Sequence, residues 1–236
     1  MRNKPAPIDE RLGLAASLVR QGAYFADVGT DHAYLPIHLL SLGKIKAAVA
    51  SDVAKGPLLR AEANVRASGE EGRISLILAD GLKGMEGLGL TDIAICGMGG
   101  EMISEILRAA EFVRSPAVRL ILQPMTRVDV LRSYLAEAGF AVFSERYAVA
   151  QGRPYVCLGA SYDGVKRTLS RTEALLGDSS LREPSDSTAF AAYLALRERE
   201  ALACLAGKRE GGADTREEED LLAAIAKERD QHYEGE

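Results

Sequence analysis

Residues 26–36 read ADVGTDHAYLP, and Asp27, Gly29, Asp31 and His32 fall within six positions just after the apolar run AYF. An apolar run ending in a glycine turn is where open α/β sheets meet their ligands, at the carboxyl end of a strand. A dinucleotide-binding turn reads G-x-G-x-x-G and offers bare backbone N–H groups to a pyrophosphate. Here Gly29 alone stands in such a place, and Asp27 and Asp31 flank it. Two carboxylates repel a pyrophosphate and attract cations. S-adenosylmethionine (SAM), which carries an α-ammonium and a sulfonium, fits that charge. An NAD-binding oxidoreductase is the distant alternative.

Two more acids end later apolar runs. Asp52 in ASDV lies where a carboxylate hydrogen-bonds a ribose diol, a role common to SAM and NAD. Asp80 in ILADG can accept from an adenine amino group. An aspartate at a strand end also serves as a turn former or helix N-cap. Asp27, Asp52 and Asp80 ending three successive runs make the ligand reading stronger than any one alone. CGMGG (96–100) places three glycines in four positions, and glycine marks close approach of backbone to a neighbour. At this strand the neighbour is expected to be the transferred methyl and the base receiving it. A plain flexible joint, with Met98 filling core, is the competing reading.

The elements that must position these residues alternate. Apolar runs at 24–28, 47–52, 74–80, 92–96 and 118–123 read as buried strands. Helical spacing fills Tyr34–Leu42, Pro57–Ala67, Met102–Ala110 and Val128–Ala138, after an opening helix over about Ile8–Gln21. Strand and helix in turn predict a parallel sheet wound on both faces with right-handed crossovers. The runs at 140–149 and 154–162 are joined only by AQGR. That leaves no room for a crossover, so the two must pair antiparallel. The expected fold is thus a doubly wound, seven-stranded Rossmann-like α/β sheet of the SAM methyltransferase class. After about Gly164 the chain turns Ala/Leu/Glu/Arg-rich, and two helices, capped by Ser187 and by Asp214 or Thr215, read as a helical hairpin or short coiled coil. The expected division is 1–164 for the methyltransferase domain and 165–236 for the helical extension.

The net charge of −5 belongs to the tail: residues 197–236 hold 7 Lys/Arg against 12 Asp/Glu, and the rest is balanced. A nucleic-acid partner would call for a local basic face on this balanced body. No apolar run is long enough to span a membrane, and the opening MRNKPAPIDE lacks the apolar core of a secretion signal. Cys96, Cys157 and Cys204 are odd in number and far apart. They read as reduced thiols of a cytoplasmic protein, with no metal site.

ADVGTDHAYLP, SDV followed by KGP (55–57), ADGL (79–82), ICGMGGEMI (95–103) and LILQP (120–124) together resemble the bacterial tRNA adenine-N1 methyltransferases of the TrmK family. The likeness runs over nearly the whole chain. It implies methyl transfer from SAM to N1 of an adenine in the D-arm region of tRNA, position 22 in tRNA numbering. It places Asp27, Gly29, Thr30, Asp31 and His32 at the methionine end of SAM. Asp52 and Val53 fall at the ribose and adenine, Asp80 and Gly81 at the far edge, and Gly97, Met98 and Gly99 at the methyl. Arg11 of the opening helix falls near the active site, and the helical tail resembles a coiled coil that helps engage tRNA. Met125 stands where the family has Asn, and Tyr155-Val156 where it has Tyr-Glu.

Adenine N1 has an in-plane lone pair and no proton to lose, so positioning does most of the work. Asp31 is the expected catalytic carboxylate, holding the N6 edge as charge forms. His32 either bonds the base, holds Asp31, or is structural. Tyr34 either stacks on the base or packs at its helix start. Arg11, Gln123 and Arg127 complete the expected substrate side. Arg11, Arg20, Arg127, Arg132, Arg153, Lys166, Arg167 and Arg171 are candidates for a phosphate face. N1 lies on the pairing edge, so the base must be loose or flipped out. The chain is expected to act as a monomer. A non-catalytic RNA-binding module keeping this fold is the alternative.

Overall fold

The structure, a computed structural model, describes residues 7–233. α1 (Glu10–Leu18) precedes β1 (Ala23–Val28), α2 (Tyr34–Ser41), β2 (Ile45–Asp52), α3 (Lys55–Ser68) and β3 (Ile74–Leu78). The second half runs β4 (Asp92–Gly99), α4 (Gly100–Arg108), β5 (Arg119–Thr126), α5 (Val128–Ala138), β6 (Phe140–Ala150) and β7 (Arg153–Tyr162). The seven strands form one sheet in the order β3-β2-β1-β4-β5-β7-β6. The first five are parallel, and β7 pairs antiparallel with both β5 and β6. The hairpin expected from the short AQGR joint is therefore present.

Strand order reverses between β1 and β4, which opens a crevice at their carboxyl ends. Alternate residues of each strand feed two apolar cores. Phe25, Ala94 and Ile121 pack with α1, α2 and α3 on one face. Ala26, Ile95, Leu120 and Leu122 pack with α4 and α5 on the other. By the same alternation Asp27, Cys96 and Gln123 point to the first of these faces, with Cys96 and Gln123 paired across the sheet and Asp27 opposite Ala94.

α1 is clamped at its end. Lys44 Nζ donates to the carbonyls of Ala16 (2.6 Å) and Ser17 (3.1 Å), and Arg119 donates to that of Leu18 (3.0 Å). These are carbonyls that a helix terminus leaves without intrahelical partners. At the other end Asp9 caps the helix, accepting from Leu12 N at 2.7 Å.

The tail is not a free appendage. α6 (Arg171–Leu176), unexpected from the sequence, opens on a full capping box between Ser170 and Glu173. α7 (Ser187–Glu210) then lays Phe190 and Tyr193 edge-on to Tyr147 of β6, at 5.0 and 5.2 Å. Ser187 is the first helical residue rather than the N-cap, because a 3₁₀ turn over Pro184–Asp186 runs straight into the helix. Asp186 is spent on Arg146 and the Tyr147 amide. α8 (Arg216–Tyr233) returns antiparallel, as the ion pairs Arg209–Glu219 and Arg229–Glu198 require. Glu218 draws in Arg171 of α6 and Lys208 of α7, and these hydrogen bonds hold its carboxyl down at about 2.

Gly100 shows what part of the CGMGG glycines is for. A Cβ there would lie 2.1 Å from the backbone oxygen of Arg127, so α4 and α5 touch backbone to backbone. This glycine's neighbour is the protein itself rather than a ligand. Gly100→Ala is expected to destabilise the fold by about 1–3 kcal/mol, read from the midpoint of urea unfolding. A midpoint equal to the parent's would disprove the contact.

Candidate active site

The turn after β1 is built from its own strain. Gly29 (φ 73°), Asp31 (φ 50°) and Ala33 (φ 57°) all sit in the left-handed region. Two of them are not glycine, and such backbone is held only where surrounding contacts over-determine it. Those contacts are present. Gly29 N and Thr30 N both donate to Ser51 O (2.9 and 2.8 Å), His32 N donates to Thr30 O (2.6 Å), and Asn64 Nδ2 donates to His32 O (2.9 Å).

The two acids of the turn part company. Asp27 is 5% exposed and accepts from the Thr30 hydroxyl at 2.6 Å. Burial pushes its carboxyl up to about 6, opposed by the Thr30 bond and the nearby Arg11 charge, with Asp52 adding to the rise. Asp31 has a side chain 55% exposed and lies against Arg60 (2.7 Å) and His32 (3.3 Å). Its backbone N–H approaches Asp52 Oδ2 at 3.4 Å. Only Asp27 therefore presents a desolvated carboxylate. The second acid expected beside the cations faces Arg60 in this arrangement.

A cleft of about 690 Å³ runs from Val28 and Gly29 past Asp52, Val53, Asp80, Gly81 and Met98. Its far wall lies mostly beyond the motifs: Met102, near the end of ICGMGGEMI, is joined by Ile106 and Phe112, from α4 and the turn after it. Gly81 (φ 62°) is there because a Cβ would press on Ile106 at 3.1 Å. The Met98 methyl rests on Gly29, where a Cβ would come within 2.2 Å of it. Gly99 abuts Thr126, and Gly97 (φ 81°) lies under the Arg11 guanidinium.

Just beyond the turn, the His32 and Tyr34 rings stack at 5.0 Å and 9°. Arg127 is half-exposed and paired with Glu101 (2.8 Å) and Asp129 (3.3 Å). Gln123 is wholly buried, accepting from Arg11. Of the residues expected on a phosphate face, Arg132 is buried on Glu145 and Arg20 is bound to Asp92, so neither is available. Charge alone does not tell such paired arginines from solvent-facing ones. Burial raises the thiols of Cys96, well above its usual value, and of Cys157, to about 12. Both are neutral, unreactive sulfhydryls.

The residues present fit a cationic nucleoside donor. Asp52 and Asp80 line the cleft with acceptors of the kind a diol and an amino group require, Val53, Met98, Ile106 and Phe112 give it apolar walls, and the buried carboxyl of Asp27 lies beside its Val28–Gly29 end. A seven-stranded sheet of this order with such a cleft defines a Rossmann-like SAM-dependent methyltransferase, and residues 8–158 match the family described as "Methyltransferase domain". A curated relative from Bacillus subtilis, tRNA (adenine(22)-N(1))-methyltransferase, is 34% identical over 165 residues, spanning 67% of this chain and 69% of its own. A Streptococcus pneumoniae protein crystallised in complex with S-adenosyl-L-methionine superposes with a TM-score of 0.78 at 34% identity, covering 92% of this chain and 100% of that one. The B. subtilis M1A22 tRNA methyltransferase TrmK superposes with a TM-score of 0.72 at 28% identity, covering 97% and 98%. The chain belongs to the tRNA (adenine(22)-N(1))-methyltransferase family. Among the described residues there is no metal-binding group of His, Cys, Asp or Glu, and no helix long and apolar enough to cross a membrane.

Proposed function

We infer that this protein transfers a methyl group from SAM to N1 of an adenine in tRNA, at position 22. The observation that carries the reading is the acceptor-lined cleft that begins at Val28 and Gly29, next to the buried carboxyl of Asp27, in a chain of this family. The bound donor supplies an electrophilic methyl on a sulfonium sulfur. Asp27, oriented by the Thr30 hydroxyl, holds the α-ammonium. Asp52 takes the ribose diol, Val53 and Ile106 flank the adenine, and Asp80 with Gly81 meets its edge. Gly97, Met98 and Gly99 form the backbone floor beside the reacting carbon.

N1 needs no base to remove a proton, so alignment and charge stabilisation remain as the protein's tasks. Asp31 accepts from the N6 amino group of the target and stabilises the positive charge that methylation leaves on the ring. The His32–Tyr34 stack offers a ring face to the unpaired base. The extension, residues 165–236, engages tRNA, and the protein works in the cytoplasm as a monomer. Its hairpin seam supports the last point, because Leu205, Leu221 and Ile225 are buried within one chain.

The test is incubation with labelled SAM and unmodified bacterial tRNA, followed by nucleoside analysis. Label in N1-methyladenosine at position 22 is expected, and label on protein or on small molecules alone would reject the reading. Asp31→Ala is expected to lower kcat about 10²-fold, with SAM affinity within threefold of the parent.

A further inference from the structure

Asp31 does not stand alone on the turn after β1. Arg60 Nη2 donates to its Oδ1 at 2.7 Å, and His32 Nε2 lies 3.3 Å from its Oδ2. The Arg60 and Asp31 side chains are 52% and 55% exposed, and an ion pair in that much water contributes little to stability. The same exposure lets both side chains meet a ligand. The pair sits beside the donor cleft: the Asp31 N–H approaches Asp52 Oδ2 at 3.4 Å, and Gly29 and Asp52 both line the cleft.

α3 holds Arg60 in that place. Arg60 and Asn64 lie four residues apart, so they share one face of the helix. Asn64 Nδ2 donates to His32 O at 2.9 Å, which fixes this face against the turn. The guanidinium uses one nitrogen on Asp31 and makes no other hydrogen bond among the described residues. Asp31 also keeps capacity, since each carboxylate oxygen can accept twice. An acceptor and a donor therefore stand side by side, 2.7 Å apart. A side-chain amide offers the same two groups, and it recognises adenine through the N6 amino group and N7. Guanine presents two acceptors on that edge, O6 and N7, and would set O6 against the carboxylate. Such a contact leaves N1, on the pairing edge, clear for the methyl.

We propose that Arg60 is a specificity-determining residue: with Asp31 on the N6 amino group, its guanidinium donates to N7 of the target adenine. The two side chains read that edge of the base as one unit. The His32 ring, stacked on Tyr34 and set against the other Asp31 oxygen, flanks them. The proposal rests on the tRNA adenine-N1 methyltransferase reading above and on its placement of Asp31.

Methyl transfer by the full chain to tRNA assembled with adenosine or 7-deazaadenosine at position 22 isolates N7, because the deaza base puts a C–H there and keeps N1 and N6. The parent is expected to lose about 10- to 100-fold in kcat/KM on the deaza tRNA, the span of one hydrogen bond from a charged donor. Arg60→Ala should lose as much on ordinary tRNA, and no more than about threefold further on the deaza tRNA, since the missing contact is the same one. Its SAM affinity should stay within about threefold of the parent's. A parent indifferent to N7 overturns the proposal while transfer to N1 stands, and that arm needs no variant. Losses that multiply in Arg60→Ala, or a SAM affinity that falls with them, overturn it too. So does a salt slope of tRNA binding that drops by about one in Arg60→Ala, the mark of a phosphate contact. Purine riboside at position 22 keeps N7 and lacks N6, so undiminished transfer to it refutes the Asp31 placement and the proposal with it. A parent that methylates no tRNA refutes the underlying methyltransferase reading instead.

Discussion

Asp27→Asn is expected to weaken SAM binding by about 10- to 100-fold while leaving the protein no less heat-stable at pH 8. Asparagine matches the shape and keeps an acceptor for the Thr30 hydroxyl, but it removes the charge that answers the ammonium. Burial raises the Asp27 carboxyl from 3.8 to about 6. A raised acid binds its proton more tightly folded than unfolded. Its contribution to stability is therefore complete below about pH 4 and is lost as pH rises through 6. At pH 8 the parent holds a desolvated carboxylate, a cost on the order of 2–3 kcal/mol that the asparagine variant escapes. The variant's advantage should vanish below pH 4.

SAM binding should titrate with the same group. The groups acting on Asp27 are Thr30, Arg11 and Asp52. The donor needs the ionised form, so the parent's Kd should rise toward tenfold per pH unit below about pH 6. The Asp27→Asn profile should be flat through that range. Calorimetry from pH 5 to 8 reads both, and a flat parent profile would remove Asp27 from the ammonium site. A site that binds a cation is thus expected to be locally unstable without it, as functional sites often are.

Arg132→Met is expected to cost about 3–5 kcal/mol of stability, the largest effect of any single change considered. Arg132 and Glu145 have side chains only 2% exposed. They meet in a two-pronged bond, Nε to Oε1 at 2.9 Å and Nη2 to Oε2 at 2.8 Å. Arg132 Nη1 also donates to the carbonyls of Ala174 and Leu175, which latches α6 to α5 and β6. The Tyr147 hydroxyl donates to Glu145 Oε2 at 2.5 Å. Even Gly177 is shaped by the pair, since a Cβ there would fall 2.3 Å from Glu145 Oε2. Removing the guanidinium alone strands a carboxylate in the core. Removing both charges, as R132M/E145L, should recover at least half of the loss, because no ion is then left unpaired. The shortfall belongs to the Tyr147 hydroxyl and the two released carbonyls. Urea unfolding of the three proteins checks this, and a single variant within 1 kcal/mol of the parent would contradict it.

Arg132 also shows where sequence reading stops. A charged residue on a helix reads as solvent-facing, and its burial depends on Glu145 and α6 arriving from elsewhere in the chain. α6 itself escaped notice because six residues do not complete two turns, so no apolar period can be seen. The far wall of the cleft escaped for a related reason. Met102 and Ile106 look like ordinary residues of an amphipathic helix until α4 is laid across the strand ends.

The sequence by itself determined the strand and helix alternation, the closing hairpin and the acid-bearing glycine turn. Those are local properties: buried parallel strands read as apolar runs, a four-residue joint forbids a crossover, and charge beside a glycine is visible in one dimension. Only the tertiary structure distinguished Asp27 from Asp31, two aspartates four residues apart. One is buried on the sheet face that carries α1, α2 and α3, and the other sits on a left-handed turn within reach of Arg60. It likewise put Gln123 between Arg11 and Gly97. Desolvation and pairing depend on which distant residues converge, and no spacing along the chain encodes that convergence directly.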